Sequence, residues 1–385
     1  MTSPKLRSRI MRILFCLSVA IFAYGLLRYT RETSAAAAQG LSLCARVLIP
    51  SLFPFMVVST AAVSSGMAER IGRVFHKPMR LLFNVPGSCA SAFILGLVGG
   101  YPVGAYNAVT LYRSGACTRA QAERLLAFFN NCGPAFILGV VGASVFGCTA
   151  AGVLLYSTHI LSSVLIGIGF GFYRRGERDT LPPMPKTSAS REQTLAALLT
   201  GSVKTSAQSI INVCAYVVFF SVAVRLLHLT GIIPALARVL AAFLRPFDLP
   251  ASFSERLIGG IFEMTGGVSG IAEGGKLVPS LTGAAFMLGW AGLSVHFQVL
   301  DFMSDSGLSP RPYITGKLLH GGLSAVLAYI GAQLIPFDVQ TSGMLEGQIS
   351  AIYSCPWVYL ALAAAVCSVC VWGILWLVSR IFARK

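Results

Sequence analysis

Charge is what this sequence has least of. Only 11% of its 385 residues are Asp, Glu, Lys or Arg, against 55% hydrophobic, and the mean hydropathy is +0.73. A soluble globular domain is about one quarter charged, so that class is excluded and a polytopic membrane protein is left. Catalytic signatures are missing too: there is no HExxH, no GxSxG, no Walker A sequence and no two Cys or His pairs that would complete a metal site. The expectation is a non-enzyme with no catalytic residue, no metal and no cofactor. The ten cysteines are scattered, mostly inside apolar runs, as at Cys16, Cys89, Cys148 and Cys214, and read as small buried residues. Cys367 and Cys370 form one CxxC inside a spanning run, with no second pair beside it. The net charge of +16 does not point to nucleic acid, because the cations sit in short segments flanking apolar runs, as the positive-inside rule requires.

What is present is a series of apolar runs, several of them broken. Lys5, Arg7, Arg9 and Arg12 precede a run over 13–27. Arg28, Arg31 and Glu32 separate that run from the small residues Ala36, Ala37 and Ala38, so an uncleaved first span is expected. A second run, 41–65, is long enough to cross; Arg46 lies near its outer end, and Pro50 and Pro54 are expected to kink it. Residues 67–83 place Glu69, Arg70, Arg73, Lys77 and Arg80 opposite Ile71, Val74, Phe75, Met79 and Leu82, the pattern of a helix lying in the interface. The run 89–111 meets Gly99-Gly100-Tyr101-Pro102-Val103-Gly104 after about a dozen residues, too few to cross where about 20 are needed. A re-entrant hairpin fits better. A broken span over 122–146, interrupted at Asn130-Asn131-Cys132-Gly133-Pro134, and a span over 150–173 follow.

The second half repeats the first. Aligning Pro86 with Pro250 sets Gly96 on Gly260 and the first tip on Met264-Thr265-Gly266-Gly267-Val268; further on, Asn131-Cys132-Gly133 meets Trp290-Ala291-Gly292, and His159 meets His320. The expected layout is a basic N-terminal segment and first span (1–40), a first repeat (41–173), a cytoplasmic linker (174–204), a second repeat (205–335), and a loop with a last span (336–385). This gives an all-α polytopic membrane protein with about eight spanning helices and two re-entrant hairpins. Three crossings per half would invert the second repeat, and counting from a cytoplasmic N-terminus puts both termini and most cations inside.

Gly and Pro inside a membrane segment release backbone groups that hydrocarbon cannot satisfy, so the breaks face protein or a polar cavity. Paired broken segments are the sequence-level pointer to a transporter's binding site. The candidate substrate-binding side chains are Tyr101, Asn107, Asn130 and Asn131 from the first half, and Glu263, Thr265, Ser269, Ser294, His296 and Gln298 from the second. Gly100, Pro102, Gly104, Gly133, Gly266 and Gly267 shape the backbone there, and Gly100 and Gly266 are expected to allow no bulk. Asn130 and Asn131 read equally well as helix caps, and Glu263 either as a coupling group, compensated by the hairpin's own N–H groups or by His296 across the interface, or as a structural bond to the tip.

These same residues carry a family likeness. The run from Gly99 to Gly104, the run from Asn130 to Pro134 with the Ala-Phe-Ile-Leu-Gly after it, and Glu263-Met264-Thr265-Gly266-Gly267 resemble the YlbJ-type sporulation integral membrane proteins, which carry paired nucleoside-recognition, or Gate, domains. The resemblance spans roughly 41–335. It implies a fold similar to the concentrative nucleoside carriers and a secondary transporter of a small polar or anionic solute, with dipicolinate during sporulation as the substrate it suggests. A nucleoside-like solute, or a non-transporting assembly partner in spore maturation, are the alternatives. It also implies a bacterial cell membrane or forespore outer membrane location. A proton or cation is the expected coupling partner, membrane lipids surround the chain, and a homo-oligomer is left open.

Overall fold

The computed structural model describes residues 4–65, 74–176, 194–272 and 276–334, and among them the chain is helical without a strand. Glu69, Arg70, Ile71 and Arg73, most of the linker, the last span and the Cys367–Cys370 pair lie outside the described residues. Helix α1 (Pro4–Arg28) bends by 98° into α2 (Thr30–Leu43), which continues through a π-helical turn at Cys44–Leu48 into α3 (Ile49–Ser64). This rod starts eleven residues before the expected run at 41, because Thr33, Ala36 and Gly40 are buried along it and its Ala-rich stretch favours helix despite low hydropathy. The π turn ends just before Pro50, which removes the N–H that would otherwise bond the Arg46 carbonyl; Pro54 is carried inside α3.

After α4 (His76–Phe83) come the paired helices α5 (Cys89–Gly99) and α6 (Val103–Arg113), the broken pair α7 (Arg119–Phe128) and α8 (Ala135–Val145, π-helical), and α9 (Thr149–Phe170). The second half runs α10 (Leu195–Leu229), α11 (Ile232–Leu244), the pair α12 (Ala251–Phe262) and α13 (Met264–Ala272), the broken pair α14 (Leu277–Trp290) and α15 (Gly292–Met303), and α16 (Pro310–Leu334). The order of long helix, amphipathic helix, hairpin, broken helix and long helix therefore occurs twice. The left-handed residues closing the amphipathic segments, Asn84 (φ 53°) and Asp248 (φ 50°), also correspond.

Packing follows the same twofold pattern. The long helices pack on their counterparts, α3 on α10 and α9 on α16; α6 of the first hairpin meets α15 while α13 of the second meets α8; α7 packs on α16 while α14 packs on α9. Glycines set the closest of these approaches. A Cβ on Gly267 would lie 2.2 Å from the Gly260 Cα, and one on Gly96 2.9 Å from the Gly104 Cα, so each hairpin closes glycine on glycine.

Helices α9 and α10 and the segment Leu277–Met303 are long and apolar enough to cross a membrane, and the bent α1–α2 pair makes a fourth if it is one span. Helix α10 exposes Leu199, Ile211 and Phe219, and α1 exposes Phe15 and Leu27, the dress of lipid-facing surfaces. Arg46 also points outward, so it does not enter the interior. At one end of the broken helix, Glu123 accepts from Arg119 Nε and Arg174 Nη1 (both 3.0 Å), from the Ser309 N–H (2.9 Å) and from the Tyr173 hydroxyl (3.2 Å). Arg124 beside it donates to the carbonyls of Asn84, Tyr173 and Arg174. Charge-assisted bonds of this kind fix where α7, α9 and α16 begin and end.

The arms of the first hairpin are eleven residues each, roughly 16 Å of helix, about half of a bilayer core. Arms of that length are expected to turn back near mid-depth at Gly100–Pro102. Single cysteines at the exposed positions Arg80 and Arg113, in a cysteine-free background, are expected to react with an impermeant thiol reagent from one side only, and the same side. Labelling from opposite sides would make α5–α6 a span.

Candidate functional site

Four irregular stretches converge: the two hairpin tips and the two helix breaks. At the first tip Gly100 has φ 74° and Tyr101–Pro102 is cis. A Cβ on Gly100 would lie 3.0 Å from Gly133 N, so the tip rests on the break of its own half. The second half repeats this contact, with Gly292 (φ 78°) against Met264 N at the same 3.0 Å. The tight glycine of the second tip is Gly267 rather than the expected Gly266, whose added Cβ would meet only a Glu263 carboxylate oxygen at 3.1 Å.

The freed backbone groups find protein partners. The Phe128 carbonyl, at the end of α7, accepts from Asn131 Nδ2 and Ser163 Oγ, each at 2.8 Å. Asn131 thus caps the broken helix, one of the two readings its sequence position allowed. The Cys132 N–H donates to His159 Nε2 at 3.0 Å. At the second tip Glu263 folds back over the start of α13: Oε1 accepts from Thr265 N at 2.9 Å and Oε2 from Gly266 N at 2.7 Å. A helix start leaves N–H groups open and positively polarised, ready for an anionic solute. At α13 the chain supplies its own carboxylate, which answers both the orphan donors and the helix dipole.

Between these stretches lies a small cavity. Tyr101, Gly133, Glu263, Thr265, Ser294 and Gln298 contribute to its wall, as does Cys132. Leu48, Leu52, Val213 and Val217, from the helices flanking the hairpins, close its apolar side. The centres of water-sized molecules can range over about 40 Å³, room for a few waters at about 10–15 Å³ each.

Six of the expected site residues therefore meet at one cavity. The others stand behind it. Gly104 packs under the break, Ser269 Oγ bonds back to the Thr265 carbonyl at 3.0 Å, and Asn107 is buried on α6 with Nδ2 unpartnered. Asn130 is fully buried beside the Tyr313 hydroxyl, and neither carboxamide atom makes a well-formed hydrogen bond. Of the two partners expected for Glu263, the hairpin's N–H groups hold it and His296 does not. Its Nδ1 meets the Tyr313 hydroxyl at 2.8 Å and its ring lies against Trp290, because the carboxylate is already held by α13.

The largest omission of the sequence reading is Lys317. It is 0% exposed, donates to the Asn130 carbonyl at 3.0 Å and to the Tyr101 hydroxyl at 3.5 Å, and stands 5.0 Å from the centre of the Tyr101 ring. Tyr101 in turn donates to the Leu288 carbonyl, so one side chain joins the first tip to the second broken helix. Three residues on, His320 Nε2 bonds the His159 carbonyl at 2.9 Å, with the two imidazoles 4.4 Å apart. The signal was a lone lysine inside an apolar run, at helical spacing from Tyr313 and His320.

Comparison with known proteins returns the likeness read from the tips. Over 311 residues the chain is 27% identical to the sporulation integral membrane protein YlbJ of Bacillus subtilis (strain 168), covering 77% of this chain and 76% of that protein. A solved structure of CNTnw in an inward-facing substrate-bound state is similar over 86% of this chain and 87% of that one, with a TM-score of 0.48 and 11% identity. Residues 45–211 match the family described as Gate, nucleoside recognition, so the chain is an all-helical integral membrane protein similar to YlbJ and carrying a Gate match across its first tip and break.

Proposed function

We propose that the chain is a secondary carrier for a small polar or anionic solute, bound where the hairpin tips meet the helix breaks. The observation behind this reading is the cavity itself: it is lined by polar groups from both halves, walled by glycine contacts, and too small for a solute until a tip moves. Broken backbone is tolerated at membrane depth only where protein or a cavity satisfies it, and a tip held to a break by close glycine contacts is a part able to separate as a unit. In this reading Tyr101, Ser294, Gln298 and Thr265 offer hydrogen bonds to the solute, Leu52 and Val217 bound its apolar edge, and Glu263 holds the second tip in shape. The two halves are inverted repeats, both termini are cytoplasmic, and the likeness to YlbJ favours a membrane of the sporulating cell. Dipicolinate is the first solute to try and nucleosides the second, the latter on the Gate match.

The test is counterflow. Liposomes containing the purified chain and loaded with pyridine-2,6-dicarboxylate or uridine are expected to take up the labelled form of one of them, and empty liposomes neither. Failure across a wider panel of dicarboxylates and nucleosides would favour an assembly role instead.

A further inference from the structure

Lys317 is unlike the other cations of the chain. Those in the described residues lie mostly at helix ends or outer surfaces, whereas Lys317 is enclosed near the centre of the molecule, and no carboxylate among the described residues forms an ion pair with it. Its contacts are neutral oxygens and a ring: the Asn130 carbonyl at the first break, and the Tyr101 hydroxyl and aromatic face at the first tip. An ammonium in a protein interior normally keeps a carboxylate. One held by lone pairs alone depends on those contacts staying in place.

Both contacts belong to the parts that must separate when the cavity opens. Tyr101 forms the wall of the cavity on one side and the seat of Lys317 on the other. The stability of the charge on Lys317 is thereby tied to the position of the first hairpin, which is what coupling between a bound proton and a conformation requires. Glu263, the carboxylate in the cavity wall, is differently placed, since both its oxygens are committed to N–H groups of the helix it caps.

We propose that Lys317 is the group that takes up and releases the coupling proton of the transport cycle. This rests on the carrier reading and adds to it the coupling species. With the tip closed, the ammonium is held by Asn130 and Tyr101. When the tip parts toward one side, an N–H bond of the ammonium breaks, its electron pair stays on Nζ, and the proton passes to a water molecule entering the cavity; the neutral amine returns through the closed state, and a hydronium ion arriving from the opposite side gives up its proton to that lone pair. The groups around Lys317 are suited to a site that must not trap the proton. Cys132 at the break, His159 on α9, His320 on the same helix and His296 on α15 are its titratable neighbours besides the two tyrosines. His159 Nε2 accepts from the Cys132 N–H, which makes that ring a neutral Nδ1–H tautomer, and His320 Nε2 donates to a carbonyl. Helix α14 brings no ionisable side chain, and the charged residues of α7, Arg119, Glu123 and Arg124, are engaged at its far end.

The experiment uses the full chain in liposomes enclosing a pH-sensitive dye, with pyridine-2,6-dicarboxylate and uridine as the added solutes and labelled counterflow measured on the same preparation. Wild-type uptake is expected to carry a change of internal pH. Lys317→Arg, which stays charged, and Lys317→Met, which stays neutral, are both expected to lose the pH change per solute moved. Wild-type uptake without a pH change, or either variant moving protons with solute in the wild-type ratio, overturns the proposal. Absence of counterflow of either solute by the wild type is a separate failure, which removes the carrier reading and this proposal with it. Should both variants fail to reach the membrane, calorimetry of solute binding to the wild type in buffers of different ionisation enthalpy decides: linked protons at binding support the proposal, and none overturns it.

Discussion

Gly104→Ala is expected to lower the thermal midpoint sharply and to abolish transport, a larger effect than any other single methyl group added at the tips. The Cβ would lie 1.9 Å from the Phe129 carbonyl oxygen and 2.7 Å from its carbonyl carbon. Both are backbone atoms in the break of the first half. They have little freedom to retreat, because the flanking carbonyls of Phe128 and Asn130 are bound by Asn131, Ser163 and Lys317. Overpacking where side chains can yield costs about 1–3 kcal/mol; with only backbone to displace, the cost here should be about 3 kcal/mol or more by the same measure. Gly266→Ala is the internal comparison, since its methyl group meets a single side-chain atom at 3.1 Å, a contact relieved by a shift of a few tenths of an ångström, and it should keep a midpoint much nearer wild type. Thermal unfolding in detergent measures both. Equal midpoints for Gly104→Ala and wild type would mean that the tip does not rest on the break.

The contrast between those two glycines shows what sequence could and could not convey. That the chain breaks and turns at Gly99 to Gly104 was legible, since Gly-Gly and Tyr-Pro inside an apolar run admit no continuous helix. Which glycine of the second tip is tight was not, because Gly266 and Gly267 are neighbours and only the crossing of α12 and α13 decides which one faces Gly260. The capping role of Asn131 could be read as one of two options from its place at a break, because its bond runs only three residues back. Lys317 belongs to the opposite case. Its bond to the Asn130 carbonyl spans 187 residues, and nothing local distinguishes a lysine that enters the centre from one that reaches a headgroup.

Helix α2 was missed for a related reason. Hydropathy locates spans by apolar content, and the stretch from Thr30 to Gly40 has little; its helicity comes from alanines and from the burial of Gly40 against Ser221 of α10, where an added Cβ would lie 2.9 Å from the hydroxyl. Conversely, the repeat was legible because both halves carry the same punctuation. Pro86 and Pro250 follow the left-handed residues Asn84 and Asp248, and each opens a hairpin. What the punctuation could not show is the reciprocal packing, in which the hairpin of each half lies on the broken helix of the other and so makes a single cavity out of two repeats.

Glu263→Ala is expected to destabilise the second tip and to be rescued by a small carboxylate. The substitution leaves the N–H of Thr265, a residue only 5% exposed, without an acceptor, while the N–H of the exposed Gly266 loses its partner nearer the surface. Each unpaired buried donor costs about 1–3 kcal/mol, and losing the cap removes the charge that answers the dipole of α13. With one buried donor left unpaired, a drop of about 2 kcal/mol follows from these magnitudes, with counterflow lost because the cavity wall loses its shape. Glu263→Gln recovers only part of this, since its amide oxygen can serve one N–H while its NH₂ group is a donor facing a donor. The vacated helix start is then an anion site. Formate, two oxygens on one carbon, reproduces the geometry of the missing carboxylate and should raise the midpoint of Glu263→Ala in a saturable way while leaving wild type unmoved. Chloride at the same ionic strength, with one atom to offer two donors, should do less. If Glu263→Ala unfolds at the wild-type temperature, or formate shifts both proteins alike, the carboxylate is not what holds the tip, and the bond between Glu263 and α13 is incidental to the fold.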